Sequence, residues 1–288
     1  MNDIMRFLDN VLTDFIEKAP DEFSDATYSA MKERSVGLGV MGLHSYFQQK
    51  MIPFESVMAK VWNKKIFQYI QEQVDQASKD LAEERGPCPD ASDYGINERF
   101  SNKTAIAPTA SISIICGGAS PGIEPIAANS YTHKTLSGSF NVRNKYLAKL
   151  LEKHGKNDDE TWSSITTNQG SVSHLDFLKK EEKDVFKTAF ELDQRWVVDL
   201  GADRTPYISQ AQSINVFIPA DIHKKDLHQI HFQAWKKGLK SLYYCRSKSI
   251  QRAENVNDAK STDVTANVYK SNNKKNEQPE YEECLSCQ

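Results

Sequence analysis

Two cysteines near the end of the chain have the spacing of a redox pair. Cys284 and Cys287 are separated by Leu and Ser within a polar segment. In a reducing compartment a Cys-x-x-Cys pair is either metal-binding or redox-active, and its thiolates can close and reopen one disulfide. A zinc site would need two further ligands, and no second cysteine pair or spaced histidine pair accompanies these two. We therefore favour a redox role and keep zinc binding as the alternative.

The composition changes at about residue 251. From there Asn, Asp, Lys and Glu dominate, and few apolar residues remain to offset the entropy of ordering the chain. We predict a folded body over 1–250 and a flexible tail over 251–288 that carries the cysteine pair. A flexible segment of about 35 residues spans roughly 30–35 Å, so the pair could carry electrons from one place to another.

Tyr243 and Tyr244 are adjacent and lie at the end of an apolar run. Adjacent phenols can pass a radical between them, which would suit a reductase with radical chemistry. The run from Leu239 to Tyr243 predicts a strand, and we expect the pair to be buried at its end. Two aromatic residues of the core or its rim explain the same pattern, and the pair alone does not decide between these interpretations.

A short loop with hydroxyl groups follows a predicted strand over 104–107. The residues of the loop are Pro108, Thr109, Ala110, Ser111 and Ile112. Backbone N–H groups at a turn that leads into a helix can hold a phosphate group. An ordinary helix cap would use the same residue types, so the two interpretations are evenly matched at this point.

Apolar spacing predicts the elements that must position these residues. Helices are expected over 5–16, 55–84 and 141–154, in two pieces over 173–200, and from 219 to 237; a buried strand is expected over 213–218. Strand, helix and strand in this order form a β-α unit. Several such units separated by long helices predict an α/β barrel or a wound sheet, not a helical bundle.

Glycines 37, 39 and 42 have the spacing of a dinucleotide-binding loop. The rest of that unit, with its long connecting helix and distal acidic residue, is missing, so close backbone packing is the better interpretation. His223, His228 and His231 lie on one predicted helix next to lysines, which favours a solvated face over a metal site.

Composition excludes several classes of function. The net charge is -3, so neither nucleic acid nor an anionic membrane is an expected partner. No run approaches the ~18–20 apolar residues of a spanning helix, and the N-terminus lacks the pattern of a secretory signal. Five cysteines, an odd number, argue against a secreted disulfide framework. We predict a cytoplasmic protein.

Several motifs, taken in order, resemble the large subunit of class I ribonucleotide reductase. They are the segment from Arg34 to His44, the Pro-Thr-Ala-Ser loop at 108–111, Gly-Ile-Glu-Pro at 122–125, Leu-Tyr-Tyr at 242–244 and the C-terminal cysteine pair. The resemblance extends from about Leu8 to the end. It implies an α/β fold in which residues 1–250 are the second half, the C-terminal half, of a ten-stranded α/β barrel, followed by the flexible tail.

The resemblance also implies a role for each group of residues. Backbone amides over 108–112 would hold the diphosphate of a ribonucleoside diphosphate substrate. Tyr243 and Tyr244 would be the last relay of a radical path from a small, radical-generating subunit. Cys284 and Cys287 would reduce the active-site disulfide again and would then be reduced by thioredoxin or glutaredoxin.

The chain departs from the family pattern at the reacting group. The thiyl-radical cysteine of the family lies in an Asn-x-Cys-x-Glu loop, and five cysteines here lack that setting: Cys88, Cys116, Cys245, Cys284 and Cys287. We expect this cysteine on a separate upstream polypeptide from a split gene, with a truncated product as the other explanation. The chain would then be inactive alone.

The expected cofactors follow from the same resemblance. None is expected in this chain: a radical cofactor with di-iron or a similar metal would belong to the small subunit, and ATP or deoxynucleotide effectors to the upstream half. The alternative function is a non-catalytic remnant or an interaction module that binds the small subunit or the thiol reductant.

Overall fold

The computed structural model describes residues 1–135 and 138–247. The helices of this part are α1 Asn2–Lys18, α2 Ser24–Glu33, α3 Leu43–Gln49, α4 Val57–Arg85, α5 Pro89–Asp93, α6 Ala110–Ile115, α7 Lys145–Lys153, α8 Asp159–Thr167, α9 Lys180–Val185, α10 Gln194–Arg204 and α11 Lys224–Lys236. Short 3-10 turns cover Asp21–Phe23 and Thr205–Tyr207. The strands are β1 Ser130–Thr135, β2 Gly138–Arg143, β3 Val216–Ile218 and β4 Cys245–Ser247.

Four extended segments pair in parallel, in the order in which they follow along the chain. Leu38 bridges Thr104, and Ile106 bridges Gln212. The third segment continues into β3, which pairs in parallel with β4. Because helices connect these segments, the architecture is α/β, as predicted from the sequence. Within the described part of the chain, the first and last segments each have a neighbour on one side only, so the parallel run is open.

The longest helix, α4, forms one wall behind this run. The Ser56 side chain caps its start by accepting from the amide of Ala59 at 3.1 Å, and Gly86 ends it with a positive φ of 84°. Its buried face contains Phe67 and Leu81 and packs against α10 and α1. The sequence predicted this helix to within two residues at its start and one at its end.

The glycine-rich segment after α2 packs backbone against backbone. A Cβ atom on Gly39 would lie 2.4 Å from the carbonyl oxygen of Ala105, on the neighbouring parallel segment. Only glycine permits this approach. The interpretation as close packing, in preference to a dinucleotide-binding loop, is confirmed.

Apolar side chains form a main core beneath the parallel run and a separate cluster under α7, α8 and α9. The main core includes Phe47, Phe67, Ile106, Leu200 and Ile214. The second cluster includes Leu147, Leu151, Trp162, Ile165 and Val185. The main core therefore supports the elements that carry the candidate site.

The predicted helix over 141–154 was wrong at its start. Residues up to Arg143 form β2, which pairs antiparallel with β1. The helix begins at Lys145 because the Asn144 side chain accepts from the amide of Tyr146 at 3.0 Å and caps it there. This hairpin was missed from the sequence.

Two boundaries near the C-terminal end also differ from the prediction. The last strand is β4, and not the segment 239–243, because the ladder with β3 starts at the tyrosine pair and continues beyond it. Helix α11 is capped by the side chain of His223, which accepts from the amide of Lys225 at 3.1 Å. Among the described residues, no helix is both long enough and apolar enough to cross a bilayer.

Candidate functional site

Tyr243 and Tyr244 lie against each other. Their ring centroids are 4.1 Å apart with the planes tilted by 47°, and the Tyr243 hydroxyl donates to the Tyr244 hydroxyl at 3.3 Å. The expectation that the pair is buried was wrong, because the side chains are 47% and 40% exposed. They precede β4 and stand at the open side of the parallel run.

The backbone of the pair is held firmly although the rings are exposed. The amide of Tyr243 donates to the carbonyl of Ile214 at 2.8 Å, and the carbonyl of Tyr244 accepts from the amide of Val216 at 2.9 Å. The amide of Tyr244 donates to the side-chain oxygen of Asn215 at 2.9 Å. These bonds fix the backbone that carries both rings relative to the third parallel segment.

A buried carboxyl group that the sequence did not single out lies next to Asn215, whose side chain also accepts from the amide of Tyr244. Glu124 accepts a 2.5 Å hydrogen bond from the Asn215 side-chain amide. Desolvation raises the pKa of Glu124 to about 7, against the opposing effects of the Asn215 hydrogen bond and the charge of Arg246. Glu124 belongs to the Gly-Ile-Glu-Pro motif, but its burial could not be read from that motif.

Arg246 adds a positive charge to this cluster. Its guanidinium lies over the Tyr244 ring, 5.8 Å from the centroid. Residues two apart in extended backbone point to the same side, which explains why Arg246 on β4 and Tyr244 just before it are side by side. We call Tyr243, Tyr244, Glu124, Asn215 and Arg246 the tyrosine cluster. One buried amide connects the carboxyl group to the backbone of the pair.

The predicted phosphate loop over 108–112 is tied to the segment that carries Glu124. The hydroxyl of Thr109 accepts from the amide of Gly122 at 2.7 Å. A Cβ atom on Gly122 would lie 2.9 Å from the carbonyl of Ala107, and its φ of 46° also favours glycine. The loop and the tyrosine cluster are therefore connected through residues 122–124.

The loop itself has a strained start and an open surface. Thr109 adopts a left-handed conformation with φ 52°, which is uncommon for a residue with a branched side chain. The amide of Ser113 donates to its carbonyl at 2.9 Å, so the amides of 110–112 are the ones without an intrahelical acceptor. Ser111 and Ile112 are exposed. The geometry offers N–H donors to an anion, and the substrate role of Pro108 to Ile112 stays a prediction.

The cysteines divide into two groups. Cys284 and Cys287 lie outside the described residues, as does the predicted tail, so both stay predictions. Of the other three, Cys88 is buried, whereas Cys116 and Cys245 are exposed. Cys245 is exposed because it lies at the start of β4, the last segment of the parallel run.

No set of three or more histidine, cysteine, aspartate or glutamate side chains in the described residues is close enough to hold a metal ion. Of the three histidines considered from the sequence, His223 caps α11, and His231 bonds through its ring to the carbonyl of Leu227 at 2.8 Å. His228 stacks on Phe232. Each of the three histidine rings therefore has a structural contact at or within α11.

Comparison with known proteins identifies the family. The family described as "Ribonucleotide reductase, barrel domain" matches residues 1–97 and 90–245. The chain therefore belongs to this family.

The names of curated relatives agree with this family. The ribonucleoside-diphosphate reductase large subunit of Invertebrate iridescent virus 6 is 49% identical over 260 residues, which cover 89% of this chain and 27% of that protein. The large subunit of Invertebrate iridescent virus 3 is 44% identical over 263 residues, covering 90% of this chain and 41% of that protein. The chain thus spans less than half the length of these relatives.

A solved structure confirms the fold. The class Id ribonucleotide reductase alpha subunit of Actinobacillus ureae superposes with a TM-score of 0.80 at 39% identity, covering 88% of this chain and 47% of that chain. The α/β barrel architecture implied by the sequence resemblance is therefore confirmed.

Proposed function

We propose that this chain supplies the C-terminal part of the catalytic barrel of a ribonucleoside-diphosphate reductase large subunit. It would take part in converting ribonucleoside diphosphates to 2′-deoxyribonucleoside diphosphates by radical chemistry. The observation that carries the proposal is the geometry of Tyr243 and Tyr244. Two phenol oxygens 3.3 Å apart, on a fixed backbone at the open side of a parallel run, are suited to pass a radical.

The proposed transfer between the two tyrosines conserves electrons, protons and O–H bonds, which supports this assignment. A hydrogen atom, one electron and one proton, passes from one hydroxyl to the oxygen radical of the other. One O–H bond breaks and one forms, so no additional base is needed for the exchange itself. The existing hydrogen bond between the two oxygens is the path that such a transfer requires.

The loop over 108–112 would hold the substrate diphosphate. The open amides at the start of α6 favour negative charge. The bond from the amide of Gly122 to Thr109 fixes the loop relative to the tyrosine cluster. Substrate and relay would therefore be positioned by connected segments.

The chain lacks an Asn-x-Cys-x-Glu segment. In our proposal the thiyl-radical cysteine comes from the N-terminal half of the barrel, and the radical from a small subunit. The parallel run, open at both ends within the described residues, fits association with further strands, because unpaired strand edges favour pairing.

Cys284 and Cys287 would deliver electrons to the active-site disulfide, and thioredoxin or glutaredoxin would reduce them in turn. Cys284→Ser and Cys287→Ser should each stop turnover that depends on thioredoxin. A single turnover of enzyme that has already been reduced should continue. Loss of the single turnover as well would contradict the shuttle and favour another role such as zinc binding.

The deciding experiment measures CDP reduction to dCDP by this chain, the small subunit and a dithiol, with and without the upstream half as a separate polypeptide. Turnover only in the complete mixture is the expected result. No turnover in any mixture of folded partners would favour a non-catalytic remnant or an interaction module.

The relay is tested within the active mixture. Tyr243→Phe and Tyr244→Phe should each abolish turnover and leave the circular dichroism spectrum unchanged, because only an exposed hydroxyl is lost. Tyr69→Phe, at an exposed tyrosine on α4, is the matched control and should remain active. Full activity of either relay variant would remove the assignment.

A further inference from the structure

Arg246 has two neighbours that matter to the tyrosine pair. Its guanidinium lies over the face of the Tyr244 ring, 5.8 Å from the centroid. Its charge also acts on Glu124, the buried carboxyl group of the cluster. Neither contact is needed to build β4, since the β3–β4 ladder uses backbone groups. Both contacts belong to the tyrosine cluster.

We propose that Arg246 is a positioning residue for the tyrosine pair, which holds the Tyr244 ring beside Tyr243 and couples electron loss from Tyr244 to loss of its phenolic proton. The inference rests on the proposed radical relay.

The physical argument concerns where positive charge can accumulate. A cation over an aromatic face is attracted to the electron-rich ring. If Tyr244 lost only an electron, the ring would become positive directly below a guanidinium, and the two charges would repel each other. If the proton leaves together with the electron, the ring stays neutral and the attraction persists. Arg246 therefore disfavours the path in which the electron leaves first.

The step is balanced within the pair. The oxygen radical of Tyr243 takes the electron and the proton of Tyr244, so the Tyr244 O–H bond breaks while the Tyr243 O–H bond forms. The reverse transfer obeys the same balance. Tyr243 is the oxidant in one direction and Tyr244 in the other, and the two hydroxyls already share a hydrogen bond.

The same charge favours the phenolate form of Tyr244, which makes the inference measurable without turnover. The experiment replaces Tyr244 by 3-fluorotyrosine in the full chain, and the phenol is titrated by ¹⁹F NMR. The charged and titratable groups of the cluster around this phenol are Arg246, Glu124 and Tyr243. In the Arg246→Gln variant we expect the pKa of the fluorinated phenol to rise by about half a unit to one unit.

Two further variants separate the electrostatic role from a structural one. Arg246→Lys keeps the charge on a more flexible stem, so its shift should be smaller than that of Arg246→Gln. Arg143→Gln removes another arginine that lies over a ring, 5.4 Å from the centroid of Trp162. This control should leave the fluorotyrosine titration unchanged.

An unchanged titration in folded Arg246→Gln protein would overturn the inference, as would an equal shift in the Arg143→Gln control. If Arg246→Gln does not fold, Arg246→Ala, which also removes the charge, takes its place with the same upward shift of the pKa expected, and an unchanged pKa would again overturn the inference. Failure of the relay proposal would instead appear as turnover in Tyr243→Phe or Tyr244→Phe. The two failures are therefore distinguishable.

Discussion

Two buried carboxyl groups in this protein have opposite surroundings. Asp9 on α1 accepts hydrogen bonds from Arg34 at 2.7 Å, Arg85 at 2.8 Å and Arg99 at 2.9 Å. Burial alone would raise the pKa of Asp9, but the hydrogen bonds from the three arginines outweigh it, and the pKa lies below its ordinary value.

Glu124 is buried with much less compensation. Desolvation raises the pKa of Glu124 to about 7, although the side-chain amide of Asn215 donates to it at 2.5 Å and the charge of Arg246 opposes the rise. A fully paired carboxylate stabilises a fold, whereas an under-compensated one is typical of functional sites. The comparison assigns Asp9 to stability and Glu124 to the tyrosine cluster.

The largest expected effect is the loss of the Asp9 charge. Asp9→Asn leaves three arginines around a neutral amide, and we expect the free energy of unfolding to fall by about 3–5 kcal/mol. Urea denaturation of the full chain measures this loss. Asp14→Asn is the control on the same helix, because Asp14 pairs with Lys18 at the exposed surface. A loss no greater than that of the control would contradict the structural role of Asp9.

A smaller loss is expected when Asn215 is removed. Asn215→Ala removes one hydrogen bond from the buried Glu124 carboxyl group and one from the amide of Tyr244, and we expect a loss of about 2–4 kcal/mol. Asn168→Ala is the control, since Asn168 is exposed and its side-chain amide donates to the carbonyl of Ser164 within the same helical turn. Equal denaturation midpoints for the two variants would show that Asn215 does not connect the cluster.

Substitution of Glu124 should change the free energy of unfolding in the opposite direction, toward greater stability. Its pKa in the folded protein is about 7, above the ordinary value of 4.5, so the folded state binds more protons between these pH values. The contribution of Glu124 is therefore fully present below about pH 4.5 and is lost as the pH rises through about 7. At pH 8 we expect Glu124→Gln to be more stable than the native chain by about 1–3 kcal/mol.

The measurement for Glu124 is a series of urea denaturations from pH 4 to pH 8. The difference between native chain and Glu124→Gln should grow over this range, whereas Asp9→Asn should remain destabilised at neutral pH. Parallel curves for the native chain and Glu124→Gln would mean that the carboxyl group is not desolvated in the folded protein.

The smallest effect is expected at an exposed pair close to Asp9. Arg6 contacts Glu84 through both nitrogens of its fork, at 2.6 and 2.5 Å, and the pair lowers the pKa of Glu84 to about 2. Because solvent screens both charges, Arg6→Gln should leave the denaturation midpoint unchanged within error. A loss of stability as large as that of Asp9→Asn would show that charge, and not burial, determines how much each ion pair contributes to the free energy of unfolding.

Elements with long, regular patterns were predictable from the sequence. The periodicity of α1 and α4 extends over several turns, and the glycines at 37 and 39 indicated close packing that the structure confirms. Short elements were less predictable. The β1–β2 hairpin was taken partly for a helix, because its strands acquire their identity from pairing with each other and not from a local pattern.

Residue types and their order determined the family, the α/β class and the candidate groups: adjacent tyrosines, a hydroxyl-rich loop and a cysteine pair. These features are local, so the sequence displays them directly. Only the tertiary structure decided that the tyrosine rings are exposed, that Glu124 is buried against Asn215 and that Arg246 lies over Tyr244. Burial and charge at these positions depend on contacts between segments far apart in the chain, here 124, 215 and 244–246.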